Sequence, residues 1–98
     1  MVRKRIIWSS AAENQLQDTL DFFKHRNKSK IYGKKLLKKI NTSLDRLPKH
    51  LLIGKKSNIE NIHYIVVWDY LIFYEISHNN IEVVAFWDAR QDPEKLVY

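Results

Sequence analysis

The residues of this chain best equipped for chemistry are its cations, and they are unevenly placed. From Lys24 to Lys56 there are twelve lysines and arginines against one acid, Asp45, whereas residues 57–98 hold two basic residues and seven acids. Such segregation sets up a field that speeds encounters with polyanions and acidic proteins and weakens as salt rises, while saying nothing of fold. Lys34, Lys35, Lys38 and Lys39 are spaced as two adjacent rows of a helix with no acid four residues on to pair with them. A face of that kind either meets nucleic acid or an acidic partner or stays solvated. His63 lies in an apolar run, where a lone histidine also serves structure. Arg90 stands just past the last apolar run, between Asp88 and Asp92, which offer it ion pairs and lower its attraction for RNA. The aromatics Trp8, Tyr64, Trp68, Tyr70, Phe73, Tyr74, Phe86 and Trp87 can stack bases or fill a core.

The elements that must position these groups follow from periodicity. Val2, Ile6 and Trp8, with Arg3, Lys4 and Arg5 between them, read as a short strand with a charged start. Ser9 or Ser10 caps a first helix, with Glu13 as a capping-box partner for Ser10, and Ala12, Leu16, Leu20 and Phe23 form its apolar stripe. Residues 25–28 carry no periodic apolar residue and read as a tight connection. Ser29 caps a second helix with the stripe Leu36, Ile40, Leu44 and Leu47, which Pro48 ends. A polar connector from Lys49 to Asn61 contains Gly54 and the Lys55-Lys56 pair. Three strands then follow: Ile62–Val67, nearly continuous and so covered on both faces; Tyr70–Ile76 after a turn at Asp69; and Ile81–Trp87 after a turn at His78-Asn79-Asn80, where asparagine tolerates positive φ. The order β-α-α-β-β-β predicts an α+β fold, an antiparallel-rich four-stranded sheet with a helical hairpin packed on one face.

The 98 residues, 45% hydrophobic, fit one domain spanning 1–98 with a modest core. Without cysteine there is no disulfide framework and no cysteine-ligated metal, which suits a reducing compartment. Ile6-Ile7-Trp8 is too short for a signal-peptide core, and no apolar run approaches membrane-spanning length. The expectation is a cytoplasmic protein that makes no membrane contact.

This element order resembles the RelE/ParE superfamily of type II toxin–antitoxin toxins. So do Ile6-Ile7-Trp8-Ser9 leading to Ala12, Leu47-Pro48 ahead of Gly54-Lys55, the strand Tyr70-Leu71-Ile72-Phe73-Tyr74-Glu75-Ile76, and the ending Asp88-Ala89-Arg90-Gln91-Asp92-Pro93. The resemblance covers essentially the whole chain and implies a bacterial, cytoplasmic toxin neutralised by a cognate antitoxin, with no cofactor. It implies one of two targets: the ribosome, where the RelE branch cuts messenger RNA, or DNA gyrase, which the ParE branch poisons without being a nuclease. A degenerate toxin kept as an antitoxin-binding or autoregulatory partner is a third reading, and fold does not choose among them.

On the nuclease reading the resemblance makes Arg90 the functional arginine, Lys55 and Lys56 the connector lysines that grip phosphate or stabilise charge, and Glu60 the general base. His63 joins Lys34, Lys35, Lys38, Lys39 and Lys55 as a candidate nucleic-acid contact, Lys56 and Glu60 standing with Arg90 as the catalytic set. The sequence departs from the nuclease pattern twice. Leu71 stands where many RNA-cleaving members carry an arginine, and no histidine-tyrosine pair follows the last strand.

Overall fold

Trp8 ends a strand and Ser10 begins a helix, so the single residue between them must serve both. Ser9 does so: its hydroxyl accepts the Ala12 N–H at 3.1 Å as N-cap, while its own N–H donates to Val83 O at 2.9 Å in the neighbouring strand. With Ser9 as the cap, Ala12 occupies the position that a capping box would give to Glu13. The structure, a computed structural model, describes residues 5–48, 55–57, 59, 61–77 and 79–91. Along these the order is β1 (Arg5–Trp8), α1 (Ser10–Asn27), α2 (Ile31–Asp45), β2 (Lys55–Lys56), β3 (Ile62–Val67), β4 (Tyr70–Ile76) and β5 (Asn80–Asp88).

The sheet runs β1-β5-β4-β3-β2, with β1 parallel to β5 and the other pairs antiparallel. The expected four strands are therefore five. Lys55-Lys56, read in the sequence as part of a connector, pairs with Tyr64 and His63 at the sheet edge. Two exposed lysines have no apolar alternation to announce a strand, and charged residues on a short edge strand discourage further pairing. The turn before β5 also differs from expectation. Neither Asn79 nor Asn80 has positive φ; Ser77 closes the turn, its N–H donating to Asn80 O at 2.8 Å and its hydroxyl accepting the Asn80 N–H at 3.2 Å. His78 lies outside the described residues.

The helical hairpin covers one sheet face. Leu36, Ile40, Leu44 and Leu47 recur at one-turn spacing and are buried against Ile65, Val67, Tyr70, Ile72, Tyr74, Ile81, Val83 and Phe86. From α1 only Ala12 is fully buried, with Leu16, Leu20 and Phe23 packed at the margin. Ser29 lies one residue before the N-cap of α2, Lys30, and its hydroxyl accepts the Ile31 N–H at 3.1 Å. At Gly33 the helices approach so closely that a Cβ would stand 3.3 Å from Leu20 Cδ2. The opposite face carries a smaller cluster of Ile62, Phe73 and Ala85, with Tyr64, Leu71, Val84 and Trp87 around it. Val84 is the extra residue of a bulge, because Tyr74 opposes Val83 while Phe73 opposes Ala85.

Candidate functional site

β1 ends early, leaving the far half of β5 without a strand on one side, and α1 takes over there. Gln15 Oε1 accepts the Phe86 N–H at 2.8 Å, and the Ser9 hydroxyl donates to Val84 O at 3.3 Å. The last residue of β5, Asp88, thereby faces the C-terminal half of α1 across a cleft of about 450 Å³. Gln15, Asp18, Phe22 and Arg26 line it from α1, with Tyr70, Trp87 and Arg90 opposite.

Arg90 forms a fork with Asp88. Nε donates to Oδ1 at 2.9 Å, Nη2 donates to Oδ2 at 2.7 Å, and the backbone N–H donates to Oδ1 at 2.9 Å. The hydrogen bond from Arg90 holds the Asp88 carboxyl below its ordinary range despite partial burial, and that same bond makes the guanidinium still harder to deprotonate. Next to the fork lies Tyr70, fully buried and stacked on Phe86 with ring centroids 4.9 Å apart. Burial first, then a hydrogen bond with Tyr32, pushes its phenol far above the usual range, so it stays protonated. The Ala89 N–H donates to Asp69 O at 2.8 Å, fastening the β3–β4 turn to the Arg90 segment.

The other candidate residues are elsewhere. Lys56 pairs in register with His63, which pairs with Tyr74; Asp88 pairs with Tyr70, which pairs with Val67. Lys56 and Asp88 are therefore separated by four residues along β3, roughly 13 Å, and by three strand spacings, roughly 14 Å, or about 19 Å on the diagonal. Pleat alternation puts Lys55, opposite Tyr64, on the other sheet face from Lys56. His63 stacks on Tyr74 at 5.8 Å, its Nδ1 buried and without a hydrogen-bond partner among the described residues. Glu60 lies outside the described residues. Lys34, Lys35, Lys38 and Lys39 are all exposed on α2, Lys34 beside a groove between the helices floored by Leu20 and Leu37. Leu71 is half-buried among Phe73 and Trp87 on the sheet face away from the helices. Among the described residues no group of three histidines, cysteines or carboxylates is placed to hold a metal ion. No helix of the described residues is long and apolar enough to cross a membrane.

Trp68, in the two-residue turn between β3 and β4, has φ 54°, in the left-handed region that bulky residues seldom enter. Its ring rests on Tyr32 (5.5 Å), which continues to Phe23 (4.2 Å) and Phe22 (5.1 Å). Asp69 marks a turn in the sequence, but nothing there marks the tryptophan as its strained member.

The family model described as ParE toxin of type II toxin-antitoxin system, parDE, matches residues 6–93. No curated protein matches the sequence. Among solved structures, the chromosomal ParDE TA system from P. aeruginosa superposes with a TM-score of 0.78 at 12% identity, covering 90% of this chain and 98% of that one. The YoeB dimer from Staphylococcus aureus gives 0.60 at 20% identity, covering 86% and 94%, and the E. coli DinJ-YafQ toxin-antitoxin complex 0.56 at 10%, covering 89% and 93%. At these identities the likeness is one of fold.

Proposed function

Because this chain belongs to the ParE toxin family of type II toxin–antitoxin systems, we propose that it arrests growth by binding a protein target, DNA gyrase, without cutting RNA, and that a cognate antitoxin neutralises it in the cytoplasm. The observation that carries this reading is the dispersal of the candidate residues over the sheet. RNA cleavage requires cations to meet charge developing on the phosphate and a base and acid within hydrogen-bond reach of the same reacting group. Arg90 pairs with Asp88 in an exposed fork at the end of β5, Lys56 stands about 19 Å from Asp88 by backbone spacing across the sheet, and Leu71 sits in an apolar cluster on the face away from the helices. A binding function makes no such demand. It needs a rigid, partly apolar surface with arginines at its rim, and the cleft between α1 and the end of β5 supplies one.

The strong basic segment contributes in a different way. Its exposed lysines steer association with acidic surfaces, of an antitoxin or of a target engaged with DNA, and act on association rate more than on affinity. The test is a pair of assays on the purified chain. Supercoiling by purified gyrase should be inhibited, ribosome-bound messenger RNA should remain intact, and co-expression of the adjacent short reading frame should restore growth and yield a co-purifying complex. Ribosome-dependent cleavage in place of gyrase inhibition would refute the reading. So would normal growth of every bacterial host expressing the chain alone.

A further inference from the structure

We propose that the end of the molecule built from Trp68, Ile31 and Phe22 is the face that grips the target, packing against an apolar surface of a folded protein flanked by carboxylates. This deepens the proposed function and rests on it. Among the described residues seven large hydrophobics are exposed, and three of them lie on elements that come together here: Trp68 at 44%, Phe22 at 56% and Ile31 at 64%. The ring chain Phe22–Phe23–Tyr32–Trp68 links Phe22 to Trp68 through two half-buried aromatics, and Ile31 precedes Tyr32 at the start of α2.

Backbone conformation supplies a second, independent observation. A two-residue hairpin turn that needs positive φ is ordinarily given to glycine or asparagine, and strain of this kind persists only where the surroundings enforce it, often at binding sites. Here the turn is fastened by the Ala89–Asp69 hydrogen bond and by the Tyr32 ring under the indole. The strain serves to present an exposed tryptophan.

Charge selects the occupant. Arg26, Lys28 and Lys30 lie between Phe22 and Ile31 along the chain, all three exposed, in a stretch that carries no acid between Asp21 and Asp45, so the complementary surface is acidic. Nucleic acid fits less well. Asp69 sits in the turn itself, Asp18 and Asp88 line the adjoining cleft, and Ile31, the most exposed of the three, offers no ring for a base to stack on. Tryptophan and arginine together are the usual anchors of protein interfaces.

The experiment compares the wild-type chain with Trp68→Gly and with Ile31→Asp, reading growth arrest on induction, inhibition of purified gyrase and melting temperature. Glycine accepts the left-handed backbone but gives up the indole–Tyr32 contact, so Trp68→Gly should stay folded with at most a modest fall in melting temperature and still lose arrest. Ile31→Asp, at an exposed position, provides the same loss by a route independent of the turn. The half-inhibitory concentration against gyrase should rise at least tenfold for each. Variants that stay folded and arrest growth as wild type does would overturn the proposal. So would variants that arrest growth normally but escape the antitoxin, which would make this the antitoxin's surface. A parallel loss of binding to a single-stranded RNA oligonucleotide would make it a nucleic-acid surface and equally overturn it. Should the wild type arrest growth without touching gyrase, the target named above is wrong, and loss of arrest in the variants still supports the face as the grip on another protein.

Discussion

Arg90 and Asp88 show how two residues settle each other's state. The carboxylate is held in its charged form by hydrogen bonds from Arg90, so its folded-state pKa is depressed below the ordinary 3.8. A depressed carboxylate contributes stability that is complete above its unfolded value and is lost as pH falls through the folded value. Arg90→Ala should therefore raise the Asp88 titration midpoint, followed by carboxyl-carbon NMR, back toward 3.8, and whatever stability separates it from the wild type should be greatest near neutral pH and vanish as acid protonates Asp88. At neutral pH the melting temperature should barely move, because the guanidinium side chain is 63% exposed and surface ion pairs contribute little. Leu71 gives a second expectation at this scale. Leu71→Arg restores the arginine typical of RNA-cleaving relatives, yet ribosome-dependent cleavage should stay absent, since Lys56 and Arg90 remain on distant parts of the sheet. Appearance of cleavage in that variant would mean that the site is otherwise assembled.

At the scale of elements, two contacts decide how α1 sits. Gln15 provides the acceptor for the Phe86 N–H where β1 no longer can, and Phe86 is buried. Gln15→Ala leaves that donor unsatisfied and should cost about 1–3 kcal/mol in chemical denaturation. Gly33 is the other contact. Alanine there gains up to about 1 kcal/mol of helix propensity against a 3.3 Å approach to the end of a flexible, half-buried Leu20 side chain that borders an open groove. Gly33→Ala should therefore be neutral to mildly stabilising, whereas Gly33→Leu, which wedges the helices apart, should lower the melting temperature clearly. Much of this level is legible in the sequence. The stripe from Leu36 to Leu47 and the alternation of the three main strands are local periodic signals, and they place both helices and the antiparallel meander. What stays hidden is non-local or contrary to propensity. Parallel pairing of β1 with β5 joins residues at opposite ends of the chain, Lys55-Lys56 has no strand-like pattern, and the left-handed backbone at Trp68 is imposed by its neighbours. The candidate site was legible in part: Arg90 stood out as an isolated cation, but its fork with Asp88 and the apolar tip around Ile31 and Phe22 depend on how the elements meet.

For the whole molecule, the charge dipole and the apolar end have different consequences. The lysines of α2 act through a long-range field, so replacing Lys34, Lys35, Lys38 and Lys39 together should slow association with target or antitoxin and flatten its salt dependence while leaving dissociation nearly unchanged. Inhibition by gripping a protein, without RNA chemistry, is tested by titrating the purified chain into a gyrase supercoiling reaction, run beside a translating-ribosome reaction in which messenger RNA ends are mapped. Dose-dependent loss of supercoiling with uncut messenger RNA is expected; undisturbed supercoiling together with Arg90-dependent cuts in the ribosomal A site would refute a protein-gripping inhibitor.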